Sequence, residues 1–224
     1  MARSGNTKVL IVDDQPVFSI GLSSLIEGLN KLTVVGTATN ITDALRIAEK
    51  ANPHLVITEI NLGSENGMDL IKKLKSMNHE IIILILSVRN ERFYSERLLR
   101  LGVRGYIMKN AQASEITEAI STVLNGKIYL SENERERIFQ AMTEESSRRT
   151  KDWTVSVHKL SNRELQVFSL IGKGYGTIEI ASMYNLSNKT IDTHKEHLKL
   201  KLHCSSSQEL RQMAVEWSNN SGDR

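Results

Sequence analysis

The sequence is poor in cysteine, since its 224 residues include a single one, Cys204. One cysteine excludes an intramolecular disulfide bond and a metal site built from cysteines alone. It is also typical of a protein from a reducing compartment.

Long apolar runs are missing as well. The longest, Ile81–Leu86, has the length of a β-strand, far short of the roughly 20 residues that cross a bilayer. The amino-terminal segment has too short an apolar run for a signal peptide. We therefore expect a cytoplasmic protein with no membrane partner.

Net charge is small, at +3. So weak a balance says little about nucleic acid, and any binding to DNA must come from local charge. Such charge is present near the carboxyl terminus, where a stretch of thirteen residues carries Lys189, Lys195, Lys199 and Lys201.

The first half of the chain alternates short apolar runs with amphipathic segments. The apolar runs predict five strands, and the amphipathic segments predict five helices between and after them. This alternation predicts a doubly wound α/β domain with a five-stranded parallel sheet. The predicted strands are Lys8–Val12, Leu32–Thr37, Pro53–Thr58, Ile81–Leu86 and Val103–Met108, and the predicted helices are Phe18–Leu29, Ile41–Ala51, Met68–Met77, Glu91–Leu101 and Ala113–Asn125.

Polar residues follow four of these strands at the edge where such folds bind ligands. Asp13 and Asp14 follow the first strand, Glu59 the third, Ser87 the fourth and Lys109 the fifth. Each alone is explained by a helix cap, a turn or a surface charge. Together, the carboxylates suit Mg²⁺, and a lysine with a hydroxyl suits a phosphoryl group.

The segments KVLIVDDQ, HLVITEINLGSENGMDLIKKL, IIILILSVRN and GYIMKN resemble the receiver domain of two-component response regulators, over about residues 7–129. The resemblance implies that Asp13, Asp14 and the backbone carbonyl of Asn61 bind Mg²⁺. It also implies that Ser87 and Lys109 contact a phosphoryl group and that Tyr106 changes rotamer on activation. A sensor histidine kinase is the partner that such a domain implies.

Glu59 departs from this family, which accepts phosphate on an aspartate at that position. Glutamate is one methylene longer, and its carboxylate reaches toward the place of a phosphoryl group. One hypothesis is that Glu59 partly imitates the phosphorylated state, so that the receiver no longer depends on a kinase. The other is that Glu59 pairs with Lys109 and only stabilises the fold.

The connector, residues 130–157, is polar, dense in charge and free of glycine and proline. Its pattern predicts a helix over Glu132–Met142 and a flexible tether over Ser146–Asp152, with Trp153 free to pack on either domain. The expected domains are therefore 1–129, a linker and hinge 130–157, and 158–224.

The remaining residues predict an all-α domain of four helices. Ser161 and Glu164 form a capping-box pattern at the first helix. A short second helix, Thr177–Tyr184, a tight turn and a third helix after Ser187 give a helix-turn-helix pattern. The block LSNRELQVFSLIGKGYGTIEIASMYNLSNKTIDTHKEHLKLKL resembles the LuxR/NarL-type DNA-binding domain, which implies a homodimer, with the final helix Ser207–Trp217 as the expected contact.

The third helix divides into a buried and a DNA-facing side. We expect phosphate contacts from Lys189, Thr190, Lys195 and Lys199, and base contacts from Asp192, Thr193 and Glu196. Asp192 departs from the family, which often has a lysine or arginine there, so the operator cannot be borrowed from relatives.

The leading interpretation is a transcription regulator that binds double-stranded DNA as a dimer and is not an enzyme. Two alternatives keep DNA binding: ordinary control by phosphorelay, or a receiver that serves as a phosphate-independent dimerisation or ligand-sensing module. A third, weaker alternative is a phosphatase that uses Asp13, Asp14 and Glu59 around Mg²⁺.

Overall fold

A computed structural model of the chain describes residues 6–63, 65–143, 157 and 159–220. The chain divides into two compact units, Met1–Phe139 and Gln140–Arg224. The expected tether 146–152 and Trp153 lie outside the described residues.

The first unit is built on a five-stranded parallel sheet, as the sequence pattern predicts. The strands are β1 Thr7–Val12, β2 Leu32–Ala38, β3 Leu55–Thr58, β4 Ile82–Ser87 and β5 Gly105–Met108. Their spatial order is β2-β1-β3-β4-β5, which is that of a doubly wound fold in which the strand order changes direction beside β1. Helices cover both faces of the sheet, and the strands are accordingly continuous apolar runs.

Five helices connect and follow these strands: α1 Pro16–Glu27, α2 Ile41–Ala51, α3 Gly67–Met77, α4 Ser95–Arg100 and α5 Ala113–Leu124. Local chemistry sets their beginnings. Pro16 opens α1, where its missing N–H costs nothing. The Asn40 side chain caps α2 by accepting the Asp43 N–H at 2.8 Å. Their apolar faces bury the sheet and hold its strand ends in place.

Two connections differ from the sequence prediction. The predicted helix Glu91–Leu101 is wrong in extent, because a 3-10 turn, Glu91–Phe93, precedes the shorter α4. Tyr94, with φ of −119°, interrupts the helical path between them. The predicted loop before α3 contains a small antiparallel ladder that pairs Asn61–Leu62 with Glu65–Asn66.

The connector begins as part of the first unit. Tyr129 pairs in parallel with Gly105 at the edge of β5, and Leu130 is buried. Helix α6, Glu132–Thr143, follows with nearly the predicted bounds.

The second unit contains α7 Asn162–Gly172, α8 Thr177–Met183, α9 Asn188–Leu202 and α10 Ser207–Asn220. The capping box at Ser161 and Glu164 is confirmed. Phe168 and Trp217 join α7 to α10, with ring centroids 5.5 Å apart. Within the described ranges, no helix has the length and apolar character to cross a membrane.

Candidate functional sites

The carboxyl edge of the sheet gathers four of the predicted residues into one buried cluster. Asp13, Glu59 and Ser87 follow or end β1, β3 and β4, and they are 3%, 3% and 0% exposed. Lys109 follows β5, and its side chain is 5% exposed. Parallel strands end at the same edge, which is why four distant sequence positions meet here.

Glu59 is the most fully bonded member of this cluster. Its Oε1 accepts a short hydrogen bond from the Ser87 hydroxyl and one of 2.7 Å from the Ile60 N–H. Its Oε2 accepts the Val88 N–H at 3.3 Å and lies 3.3 Å from Lys109 Nζ. A buried carboxylate is stable only with such partners, and here a hydroxyl, backbone amides and an ammonium supply them.

Lys109 lies between two buried carboxylates. Its Nζ is 2.6 Å from Asp13 Oδ2, closer than its 3.3 Å separation from Glu59 Oε2. The same atom donates to Gln15 Oε1 at 3.5 Å and lies 4.6 Å from the centroid of the Phe18 ring. The positive charge of Lys109 therefore stabilises the carboxylate of Asp13 more strongly than that of Glu59.

The three predicted magnesium ligands have different partners. Both carboxylate oxygens of Asp13 have partners. Its Oδ2 pairs with Lys109, and its Oδ1 accepts the Gln15 N–H at 2.9 Å. Asp14 is exposed and accepts the Gly63 N–H at 2.9 Å, while Asn61 belongs to the short ladder. In the part of the chain that the structure describes, no three acidic, histidine or cysteine side chains could share an ion. In this arrangement Lys109 is the charge partner of Asp13.

Tyr106 lies beside the cluster, in β5. It is 1% exposed, and its hydroxyl donates to the Arg89 carbonyl at 2.6 Å. Burial raises the pKa of this phenol well above its ordinary value, so Tyr106 stays a hydrogen-bond donor. Tyr106 thereby fixes the loop that follows Ser87.

Sequence reasoning missed several contributors to this pocket. The Val88 amide and the Arg89 carbonyl are backbone groups, for which side-chain identity gives no signal. Gly67 lies just before the predicted helix Met68–Met77, and a Cβ there would lie 2.6 Å from the carbonyl oxygens of Glu59 and Ile60. Any side chain at Gly67 would displace the Glu59 loop.

A second candidate site is the outer face of α9. Ser187 caps this helix by accepting the Thr190 N–H at 3.1 Å, as its sequence predicts. Ile191, Leu198 and Leu202 are buried against the domain core, and His194 is partly buried. The exposed face presents Lys189, Asp192, Thr193 and Glu196.

Three lysines of α9 have partners within the second unit. Lys195 Nζ donates to the Thr177 hydroxyl at 2.6 Å, and that hydroxyl donates to Asp192 at 3.3 Å. Lys199 pairs with Glu196 at 2.8 Å, and Lys201 pairs with Glu164 at 2.7 Å. Thr177, which sequence reasoning did not single out, thus joins the two helices of the helix-turn-helix.

Known families match both halves of the chain. The model of the response regulator receiver domain matches residues 9–121. The model of the bacterial regulatory proteins of the luxR family matches residues 154–214. The chain belongs to the LuxR-family response regulators.

Relatives of this response regulator share both domains. The oxygen regulatory protein NreC of Staphylococcus aureus is 32% identical over 209 residues, which are 93% of this chain and 96% of NreC. The RcsB response regulator of Salmonella typhimurium superposes with a TM-score of 0.68 at 23% identity, over 95% of this chain and 98% of RcsB. A structure of two RcsB dimers bound to two parallel DNAs gives 0.57 at 24% identity, over 93% and 97%.

The RcsB structures show a shared fold, and the family match supplies the general function. This response regulator is a DNA-binding transcription regulator and not an enzyme. Receiver domains of the family generally bind Mg²⁺ when they are phosphorylated.

Proposed function

We propose that this response regulator controls transcription through a receiver that does not depend on phosphorylation of an aspartate. Its proposed domains are the receiver at residues 1–129, a linker and hinge at 130–157, and the DNA-binding domain at 158–224. The proposal includes a homodimer, double-stranded DNA as the target and a cytoplasmic location. The RcsB dimers on DNA support the dimer and the target by analogy.

The bonding of Glu59 carries this proposal. A phosphoryl group on a receiver aspartate needs donors for its oxygens, and the resemblance assigns Ser87 and Lys109 to that task. Here the Glu59 carboxylate already accepts the Ser87 hydroxyl and the Val88 N–H and lies 3.3 Å from Lys109. The pocket is therefore filled by its own side chain.

Charge makes the imitation partial. A carboxylate carries about one negative charge, whereas a phosphoryl group carries about two at neutral pH. The single positive charge of Lys109 faces two carboxylates, that of Asp13 and that of Glu59. We infer a pocket held in one state, with neither a kinase nor a bound Mg²⁺ required for that state.

The decisive experiment is treatment with a small phosphodonor and Mg²⁺, followed by mass spectrometry and DNA binding. The wild type should gain no acyl phosphate at Glu59 and should bind DNA equally before and after treatment. Glu59→Asp should restore an acceptor and make DNA binding depend on the donor. Glu80→Asp, on an exposed residue, is the matched control. A stoichiometric acyl phosphate on Glu59 would refute the proposal.

A purely structural role for Glu59 has support of its own, in the buried contact with Lys109 at 3.3 Å. Glu59→Gln separates the two interpretations, because the amide keeps the shape and removes the charge. If Glu59 imitates a phosphoryl group, DNA binding by the full chain should weaken. Under a structural role, the melting temperature falls while DNA affinity of the folded protein stays unchanged.

For DNA recognition we propose the outer face of α9. Phosphate contacts come from Lys189, Thr190, Lys195 and Lys199, and base contacts from Asp192, Thr193 and Glu196. The Thr193 hydroxyl donates back to the Lys189 carbonyl at 2.9 Å, so its methyl group is the part suited to a thymine methyl. The two carboxylates suit the amino group of cytosine.

A further inference from the structure

A buried carboxylate lies in the first turns of the connector helix α6. Glu134 is 4% exposed, although its neighbours Glu132 and Glu136 are exposed. It falls in residues 122–153, between the segments that the two family models match. Its burial therefore needs an explanation in this chain's own contacts.

Helix α4 and Arg137 supply those contacts. Ser95, which is 0% exposed, donates a short hydrogen bond to Glu134 Oε1. Arg137 donates to both Glu134 oxygens, at 2.7 and 2.9 Å, and also to Glu96 at 2.9 Å. The hydrogen bonds that Arg137 donates to the Glu134 carboxylate raise the pKa of Arg137 above its ordinary value, so the guanidinium stays charged. The charges of Glu134 and Arg137 and the hydroxyl of Ser95 thus connect α4 to α6 through buried polar contacts.

The residues just before α6 are attached to the same region. Tyr129 exchanges backbone hydrogen bonds with Arg104 and Tyr106, at 3.0 and 2.9 Å. The Ser131 N–H donates to Glu91 at 3.0 Å, and Glu91 is 7% exposed. The segment from Tyr129 to Arg137 is therefore fixed along its length.

The loop segment 87–91 contacts both the Glu59 pocket and the residues just before α6. It begins with Ser87, the last residue of β4, and Val88, which both bond Glu59, and it ends at Glu91, which bonds Ser131. Between them, the Arg89 carbonyl accepts the Tyr106 hydroxyl. A displacement of this loop would change contacts at both ends.

We propose that Glu134 is a positioning residue that clamps α6 to α4, and that the loop 87–91 couples this clamp to Glu59. The start of the connector is then part of the receiver, and the state of the pocket sets how firmly α6 is held. The coupling rests on the proposed role of Glu59, whereas the clamp stands without it.

Hydrogen exchange of the full chain, read by mass spectrometry over residues 132–143, tests the clamp. Glu134→Gln and Ser95→Ala should each speed exchange there by about tenfold or more, because each removes a hydrogen bond to a charged group. Glu136→Gln, an exposed glutamate of the same helix, should leave exchange unchanged. Helix α5 should keep its protection in all three, which separates local release from global unfolding. Unchanged exchange over 132–143 in both clamp variants would overturn the proposal.

The coupling is tested with Glu59→Gln alone and combined with Glu134→Gln. We expect faster exchange over 132–143 in the single variant, and a combined effect smaller than the product of the two. A full product, or no effect of Glu59→Gln on α6, would refute the coupling. Exchange is measured without DNA or phosphodonor, so these outcomes are independent of the tests of the proposed function.

Discussion

At the scale of single residues, the pocket depends on one methylene group. The carboxylate of Glu59 extends far enough to accept from Ser87, whose hydroxyl comes from the neighbouring strand. It also remains bonded to the amide of Ile60, next to it in the chain. In the function that we propose, this single side chain supplies the oxygen acceptors that a phosphorylated aspartate would supply.

Glu164 gives a residue-scale prediction about pH. Burial favours its neutral form, but hydrogen bonds from Lys201 and from Ser161 outweigh this and hold the pKa of Glu164 below its ordinary value. A lowered folded pKa means that the stabilisation is complete above about pH 4.5 and is lost as pH falls through the folded pKa. Glu164→Gln should cost about 1 to 2 kcal/mol near neutral pH, and less as the pH falls below 4.5.

Tryptophan fluorescence during denaturation measures this effect in the full chain. Trp217 is buried in the second unit, so its fluorescence reports on that unit. Glu179→Gln is the comparison variant, since Glu179 accepts only the Gly176 N–H, at 2.7 Å, at the start of the more exposed helix α8. A difference between wild type and Glu164→Gln that stayed constant from pH 7 to pH 3 would contradict the assignment.

The sequence could predict which residues meet in the pocket, because parallel strands place their carboxyl ends at one edge. It could not predict how they bond there. Asp14 and Asp13 are neighbours with the same chemistry, yet only Asp13 faces Lys109, since successive residues point in different directions. Likewise, the contact of Lys195 with Thr177 depends on how two helices pack, which residue identity does not encode.

At the scale of helices and strands, Gly172 sets how closely α7 and α10 approach. A Cβ at this position would lie 2.3 Å from the Ala214 carbonyl oxygen and 3.0 Å from the Ser218 Cβ. Gly172→Ala should therefore destabilise the second unit by about 1 to 3 kcal/mol, because α10 must move away. Tryptophan fluorescence during denaturation should show the loss.

Gly21 is the matched control for this substitution. It also lies inside a helix, α1, but a Cβ there meets no atom within 4 Å. Gly21→Ala should stabilise the first unit by about 0.5 to 1 kcal/mol, since alanine favours helix. Circular dichroism follows this change. Equal effects of the two substitutions would show that helix propensity, and not packing at α10, decides both. The sequence predicted each helix, but not which glycine touches a neighbour.

The recognition helix gives a prediction about salt. Lys189 is exposed near the N-terminus of α9, where the helix dipole also favours phosphate. Lys189→Ala should weaken binding on all DNA sequences and reduce the salt slope by about one unit. Lys195→Ala should reduce it less, because Lys195 is already bonded to Thr177. Lys50→Ala, on the exposed surface of α2, is the control. Equal slope changes for Lys189 and Lys195 would show that the Thr177 contact breaks on DNA.

At the scale of the whole molecule, the architecture was predictable because each half of the chain has its own periodicity. The first half alternates strands with helices, and the second contains helices alone. The contacts of the connector were harder to predict from the sequence, since its charged residues favour a solvated helix. Glu134 and Arg137 are instead drawn into contact with α4, and only the position of Ser95 and Glu96 in three dimensions shows why.

The whole-molecule prediction concerns what the receiver contributes to DNA binding. If the untreated receiver holds two copies together, the second half-site is bound at a raised effective concentration. Removing residues 1–139 should then weaken binding to a two-half-site operator by about a hundredfold, and binding to a single half-site hardly at all. The full chain should keep its affinity in EDTA, because Lys109 already supplies a positive charge to Asp13 and Glu59. Gel-shift titrations on both DNAs measure these affinities, and sedimentation checks the dimer. If the truncation lowered affinity equally on both DNAs, the receiver would contribute by a route other than holding two copies together. If EDTA lowered the affinity of the full chain, a divalent ion would complete the Asp13 site.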